Sequence, residues 1–314
     1  MGLADATEIN GGPRPSLPDG PPYACDDLLA WAGVGFEMPP GDPRLTGLLH
    51  GDEAPSAPLQ NLEGAGRWWL ETPELMDILD PESPTHDDKV LERALYLDRW
   101  ARHVAPGSRV MDLGGGVGRF TQWLLELGCA VDLVDPDLRS LWRAVSMAAG
   151  GPGRLDVHWT TGERLPKLPP LDAVVAAEVL CYVEDAPLVV QNVHQALKPG
   201  GMLLCSVEAR WGWAMSTDAP EGALDAFLTD GIVSIPGDRW VRTYERQDLV
   251  DLLDPWFEIV DLLPTHYAFS GPFELVTGMT DLPTALAIEE RLRQHPVSAP
   301  LNRAWTAVAR RRDR

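Results

Sequence analysis

The stretch Arg109-Val110-Met111-Asp112-Leu113-Gly114-Gly115-Gly116-Val117-Gly118 carries the strongest structural signal in the chain. Its apolar part, Val110 to Leu113, reads as a strand that runs into a turn with glycines at 114, 115, 116 and 118. Beyond the turn, Phe120, Trp123, Leu124 and Leu127 recur at helical spacing, and Gly128 stops the helix. A strand, a glycine turn and a helix N-terminus in succession bring backbone N–H groups against a bound ligand. The spacing narrows the choice of ligand. A dinucleotide fingerprint needs G-x-G-x-x-G. Counted from Gly114 and Gly116, its third glycine falls on Arg119, so that pattern fails. What stands instead is Asp112-x-Gly114-x-Gly116-x-Gly118.

The flanking chain continues the alternation of strands and helices. Ala130 to Val134 is a second strand, ending in Asp135-Pro136-Asp137. A carboxylate at the carboxyl end of such a strand can accept hydrogen bonds from ribose hydroxyls. Taken alone, the same three residues also fit a turn with a helix cap. Leu155 to Thr160 is rich in β-formers and leads into Thr161-Gly162-Glu163-Arg164-Leu165-Pro166. Leu171 to Val179 is almost continuously apolar, as a strand buried on both faces requires. It runs on through Glu178-Val179-Leu180-Cys181-Tyr182-Val183-Glu184-Asp185 into a helix, Pro187 to Leu197, with Pro187 suited to the first turn. Lys198-Pro199-Gly200-Gly201 then approaches a strand, Met202 to Val207. In this order, the motifs resemble those of the class I S-adenosylmethionine-dependent methyltransferases, over roughly residues 85 to 310.

The resemblance implies an α/β fold: a doubly wound, seven-stranded, mostly parallel sheet with an antiparallel last strand. It implies S-adenosylmethionine as cofactor, bound by Asp112, Gly114, Gly116, Gly118, Asp135, Glu163 and Glu178. Asp135 takes the family's ribose-holding position. Glu163 corresponds to the acid that meets the adenine amine, although it stands one position later than in the family pattern. The histidine often found after the fourth strand is replaced by Cys181-Tyr182. Because the sulfonium methyl is already activated, the protein's task is to align donor and acceptor and exclude water. An oxygen or amine acceptor can still need a base. His266, Tyr182 and Glu208, with Glu184 beside them, are the candidates, each expected near a strand's carboxyl end or on a covering loop.

Composition limits the partners. The formal charge is −21, and the only basic cluster is Arg310 to Arg312 with Arg314. Nucleic-acid binders need a basic face for phosphate contacts, so a nucleic-acid substrate is disfavoured. Cys25, Cys129, Cys181 and Cys205 form no Cys-x-x-Cys pair, and no His-Glu-x-x-His stands in the chain, so no metal is expected. No apolar run of transmembrane length and no signal core occurs, which predicts a cytoplasmic protein without membrane contact. Arginine far outnumbers lysine, and alanine, glycine and proline abound, in keeping with a high-GC bacterial genome.

The chain divides unevenly. Residues 1–60 carry nine acids against two arginines and show no sustained period. Residues 1–25 read as a disordered tail, and residues 26–84 as an N-terminal extension with short helices at Asp26 to Gly35 and Pro43 to Gly51 and an anchoring pair, Trp68-Trp69. The main domain spans 85–314. It opens with a helix whose capping box is Thr85 and Asp88 and whose core stripe is Val90, Ala94, Leu97, Ala101 and Val104. Tyr244 to Leu253 reads as a helix, and Phe257 to Leu263 and Ala304 to Arg310 as the last strands. An insert at about 209–243, with Trp211, Trp213, Phe227 and Trp240, is too long for an ordinary connection and reads as a lid. His266, Tyr267, Phe269 and Phe273 follow the sixth strand.

The expected function is methyl transfer to an O or N atom of a small, apolar or aromatic, natural-product-like molecule, by a monomer or homodimer. A peptide acceptor, a non-catalytic binding protein of the same fold, and a nicotinamide oxidoreductase are the alternatives. The failed dinucleotide spacing argues against the last.

Overall fold

The computed structural model describes residues 8–9, 12–13, 86–136, 140–141, 144, 148, 152–215, 223–234, 240–267, 281–298 and 301–313. The expected helices at Asp26 to Gly35 and Pro43 to Gly51, Trp68-Trp69, Thr85, Phe269 and Phe273 lie outside these residues. In the segment read as a disordered tail, Glu8–Ile9 pairs antiparallel with Gly12–Pro13. The sequence between them is Asn10-Gly11, the strongest two-residue hairpin signal.

Seven strands build one sheet: β1 Arg109–Leu113, β2 Ala130–Asp135, β3 Arg154–Trp159, β4 Leu171–Ala177, β5 Leu197–Glu208, β6 Phe257–Thr265 and β7 Ala304–Arg311. Their spatial order is β6-β7-β5-β4-β1-β2-β3. β1 pairs in parallel with β2 and β4, β2 with β3, and β4 with β5, while β7 runs antiparallel between β5 and β6. The order turns around β1, so the carboxyl ends of β1, β2 and β4 flank one crevice. This is the switch point where open α/β sheets take their ligands.

Seven helices with fully described ranges accompany the sheet, and Ser140, Leu141 and Ala144 are helical as well. The seven are α1 His86–Trp100, α2 Arg119–Glu126, α3 Ala186–Ala196, α4 Arg210–Ala214, α5 Ala223–Leu228, α6 Arg246–Leu253 and α7 Leu282–Gln294. α3 starts where Asp185 accepts from Leu188 N–H and a proline stands in the first turn. α6 starts with a capping box between Glu245 and Asp248. α7 was not anticipated. Its start is nonetheless written in the chain as Asp281-Leu282-Pro283-Thr284, in which Asp281 caps Thr284 N–H. None of these helices is long and apolar enough to cross a membrane.

Two apolar layers sandwich the sheet. On one face Tyr96, Trp100, Phe120, Trp123 and Leu124 from α1 and α2 cover Val110, Val131 and Leu133. On the other, Val189, Val193, Leu249 and Leu253 from α3 and α6 pack with Val174, Leu203 and Cys205. The insert joins this second layer through Trp213, Phe227 and Val241. Its Arg242 N–H donates to Cys181 O at 2.8 Å, and just beyond it the Tyr244 hydroxyl donates to Leu180 O at 2.8 Å. The described part of the insert is therefore fastened to the loop after β4. Trp211 stays exposed.

The α1 stripe differs from the expectation. Leu91, Glu92, Tyr96 and Trp100 are its buried residues, whereas Val90, Ala94 and Leu97 are only half-buried. Ala101 is exposed, because the helix ends at Trp100 and a 3-10 turn follows. The two large rings rotate the helix: Trp100 lies 4.9 Å from Tyr96 and 5.3 Å from Phe120 between ring centroids. This trio clamps α1 to α2. Trp100→Ala is expected to destabilise the protein by about 3–5 kcal/mol, read as a lower urea midpoint. A change below about 1 kcal/mol would show that the clamp does not hold α1.

Candidate active site

The glycine turn sits at the crevice. Gly114 N–H donates to Val134 O at 2.7 Å, Gly116 N–H to Asp135 Oδ2 at 2.9 Å, and Gly118 N–H to Gly115 O at 2.9 Å. The turn is thus tied to the end of β2 by one backbone and one side-chain bond. Gly116 has φ +54, and a Cβ there would meet nothing within 4 Å. The backbone at 116 is therefore bare toward open space, with the Asp135 carboxylate beside it. At Gly114, φ +63, a Cβ would lie 2.5 Å from Val179, so that glycine is enforced by crowding. Gly118, at φ +91, stands at the N-cap of α2 without a side-chain cap.

Asp112 sits beneath the turn. It is 1% exposed and accepts from Thr121 Oγ1 at 2.6 Å. Burial raises its pKa to about 6, against the pull of the Thr121 hydrogen bonds. Glu163, in a 3-10 turn, accepts from Glu184 N–H at 3.0 Å, bracing the loop after β4. The exposed Glu184 thus serves through its backbone. Tyr182 is half-buried against the second apolar layer. Glu208, at the end of β5, lies 3.3 Å from Arg303, whose guanidinium covers Trp213 at 4.8 Å.

Glu178 follows β4 with φ +59, an uncommon backbone for a side-chain-bearing residue. Its N–H donates to Ser206 O at 3.1 Å and Ser206 Oγ at 3.0 Å. Its carboxylate accepts from Tyr96 OH at 3.1 Å and lies 3.6 Å from Lys89. Lys89 also meets Glu92 at 2.8 Å, and Glu92 pairs with Arg119. Burial, followed by the Glu92 charge, raises the Glu178 pKa to about 7. Glu92 goes the other way. Burial opposes its charge, but Arg119 and Lys89 outweigh that and hold it well below the usual carboxylate range.

His266 follows β6, also at positive φ (+67). It is 4% exposed, its Nε2 lies 3.1 Å from Asp88 Oδ1, and its Nδ1 has no hydrogen-bond partner among the described residues. Burial works against an imidazolium here. Asp88, with Glu92 and Glu289 behind it, prevails and raises the pKa to about 9. Of the residues singled out from sequence, the fold gathers Gly114, Gly116, Gly118 and Asp135 at one turn, and sets Glu178, Glu208 and His266 at the ends of β4, β5 and β6. Sequence reasoning missed Asp88, Lys89, Glu92, Tyr96 and Arg119, which link α1 to that group.

Asp88, Glu92 and His266 each bring one donor atom within 4.8 Å of the others. The set suits a cation poorly. Glu92 is already neutralised by two cations, and an imidazole that holds its proton up to about 9 is not a free ligand.

The strand order and glycine turn define a Rossmann-like methyltransferase fold. A family described as a methyltransferase domain matches residues 86–253. The chain belongs to that family, and its cofactor is S-adenosylmethionine. It is 32% identical over 147 residues to the ubiquinone biosynthesis O-methyltransferase of Xanthomonas campestris pv. campestris (strain B100), covering 45% of this chain and 56% of that protein. The chain thus spans little more than half the length of that relative. Among solved structures, an S-adenosylmethionine-dependent methyltransferase from Mesorhizobium loti superposes with TM-score 0.51 at 23% identity, over 70% of this chain and 100% of that one. The 1,6-didemethyltoxoflavin-N1-methyltransferase of Burkholderia thailandensis, with bound 1,6-didemethyltoxoflavin and S-adenosylhomocysteine, gives TM-score 0.51 at 19% identity, over 83% and 95%.

The open turn and facing carboxylate fit a nucleoside with a ribose. The Asp112 environment makes a separate test. Its protonated form is favoured in the fold, so ionisation penalises the native state progressively as pH rises from 3.8 through about 6. Asp112→Asn keeps an acceptor for Thr121 and removes the buried charge. Its thermal midpoint is expected to exceed wild type at pH 8, by up to about 1–3 kcal/mol in stability, with the advantage vanishing toward pH 4. An equal or lower midpoint at pH 8 would contradict a buried, uncompensated carboxylate.

Proposed function

We propose that the protein is an S-adenosylmethionine-dependent methyltransferase acting on an O or N atom of a small apolar or aromatic molecule, in the cytoplasm of a bacterium. The observation that carries this reading is the Gly116 N–H to Asp135 bond, which joins a bare backbone turn to a carboxylate at the ends of adjacent strands. S-adenosylmethionine supplies an activated methyl group on a positively charged sulfur. Asp135 accepts from the ribose hydroxyls, the bare backbone at Gly116 permits close approach, and Gly114 and Gly118 hold the turn. Asp112 supports the turn from below. Glu163 positions the loop after β4, and Tyr182 belongs to the acceptor wall.

His266 takes the acceptor's proton at Nδ1, and Asp88, at Nε2, positions the ring and stabilises the resulting imidazolium. Glu178 and Glu208 line the same ends of the sheet, and the Glu208–Arg303 pair keeps that side polar and fixed. An aromatic acceptor is supported by the names of the relatives and by the half-buried Tyr182 and Trp240, on the loop after β4 and on the insert fastened to it. A phenolic hydroxyl is the first acceptor class to try.

Calorimetry tests the donor site. S-adenosylmethionine is expected to bind and NAD to fail. Asp135→Ala should weaken donor binding roughly 10- to 100-fold, the loss of one charge-assisted hydrogen bond of about 1.5–3 kcal/mol. Gly116→Val should abolish binding by filling the open space and straining a left-handed backbone. Unchanged affinity in both variants would remove this site from consideration.

The pH profile tests the base. In the free protein His266 is an imidazolium at neutral pH, so kcat/KM for a phenol should rise as pH passes through about 9. Asp88→Asn removes the strongest charge holding that proton, so the rise should move down toward the ordinary histidine value. His266→Ala should flatten it. A rise centred near 7 that Glu178→Gln removes would transfer the role to Glu178.

A further inference from the structure

A second cleft lies beside this site, between α1, α7 and the ends of β6 and β7. Its volume is about 210 Å³. Leu95, Leu263 and Leu286 give it apolar walls, and Arg99 and Arg293 face it from the two helices. Thr306 belongs to its lining, is 4% exposed, and its Oγ1 is buried without a hydrogen-bond partner. A buried hydroxyl left unpaired in a cleft calls for a partner that the protein does not supply.

Among the described residues, each arginine pairs with a carboxylate of its own helix, and those carboxylates, Asp98 and Glu290, also line the cleft, as does Glu289. Arg99 lies 3.2 Å from its neighbour Asp98, whose side chain is 64% exposed. Arg293 pairs with Glu290 one turn away, whose side chain is 45% exposed. A guanidinium offers five N–H donors, and one rim carboxylate cannot use them all. Burial, and then the charge of Arg99, depress the Arg293 pKa, so the two cations sense each other across the cleft. An anion between them would remove that repulsion.

We propose that this cleft binds a small organic acid. Its carboxylate would lie between Arg99 and Arg293 and accept from Thr306 Oγ1, and its apolar body would lie among Leu95, Leu263 and Leu286. Inorganic anions would leave the leucine walls wet, and a cation would have to take Asp98 and Glu290 from the arginines that already hold them. The cleft touches the catalytic segment. Thr265 lines it next to His266, and Glu289, also lining it, accepts from Tyr267 N–H at 2.7 Å. An occupant therefore bears on the two-residue segment that sets the His266 ring.

The test is a titration of the full-length protein with benzoate and 3-phenylpropionate, and with benzyl alcohol as neutral counterpart, followed by ligand-observed NMR with saturating S-adenosylmethionine present. The acids should bind saturably and about tenfold or more tighter than the alcohol, because a charge-assisted pair separates them. Arg99→Gln and Arg293→Gln should each weaken the acids about tenfold while leaving the alcohol unchanged. Thr306→Val should weaken them less. Donor affinity should stay intact in all three variants, which separates failure of this cleft from failure of the donor site. No saturable binding of either acid up to about 20 mM, far above physiological ligand levels, would overturn the proposal. So would equal affinity in the arginine variants, or displacement of the acids by S-adenosylmethionine.

Discussion

Everything at the crevice depends on how tightly the chain turns between Leu113 and Arg119. Three N–H groups of the turn are committed within it or to β2, at 2.7–2.9 Å. A Cβ at 114 would strike Val179 from the β4 loop. The turn is therefore wedged between the ends of two strands, and only backbone fits there. That wedge has consequences on each side. It aims the Asp135 carboxylate back at residue 116, it starts α2 from an uncapped glycine, and it packs Val179, so that Glu178 must leave the sheet at positive φ. Such a backbone persists only where its surroundings over-determine it. Here the bifurcated hydrogen bond from Glu178 N–H to Ser206 O and Oγ does so.

The second constraint is ionic. Glu92, Arg119, Lys89 and Glu178 form a mostly buried chain of alternating charges, with Tyr96 completing it. A buried ion pair recovers little net stability, because desolvation offsets attraction. What it does supply is registry. Removing one member leaves an uncompensated charge, so α1 can dock on α2 and the β4 end in one alignment only. A helix outside the strand-and-helix repeat thereby contributes Asp88, Lys89 and Tyr96 to the site.

These two constraints differ in how they are written in the sequence. The turn is local, and its residues stand in one unbroken stretch. Gly114, Gly116 and Gly118 could be read directly, as could the edges of β1, β2 and α2. Asp135 was legible because a strand's end is a local feature as well. The charge network is not local. Lys89 and Glu92 look like any i, i+3 pair on a solvated helix face, and their partners lie far away at Arg119 and Glu178. The α1 stripe differs for a related reason: Val90, Ala94, Leu97 and Ala101 have helical spacing, but Tyr96 and Trp100, outside that stripe, have more area to bury and turn the helix toward their own face. A faint signal was available, since Leu91, Tyr96 and Trp100 lie on one helical face with Glu92 at its edge. α7 is marked at its start by Asp281 and Pro283, but its buried positions, Ala285 and Glu289, are too few and too small to show an apolar period.

The electrostatics of the site set its working state more than its composition does. Glu178 is half-buried and His266 buried, and both hold a proton more firmly than an exposed counterpart would. For Glu178 burial and Glu92 act together. For His266 burial is overcome by Asp88. The result near neutrality is an imidazolium at the end of β6 and, at the end of β4, a carboxyl group that holds its proton far more readily than a free one. An overall charge of −21 is felt at long range only through a salt atmosphere, which screens it within about 8 Å at physiological ionic strength. Inside the crevice it is the nearby pairs that a ligand meets: Asp88 with His266, Lys89 with Glu178, and Arg119 with Glu92. On the proposed reading, a neutral acceptor that becomes acidic only as it is methylated would enter without opposing any of them. An acceptor with a permanent charge must displace a partner already in contact at 2.8–3.6 Å. The same reasoning separates the neighbouring cleft, where among the described residues the two guanidiniums pair with solvated carboxylates, Asp98 and Glu290, and an incoming carboxylate competes with those while the buried Glu289 stays on the Tyr267 N–H.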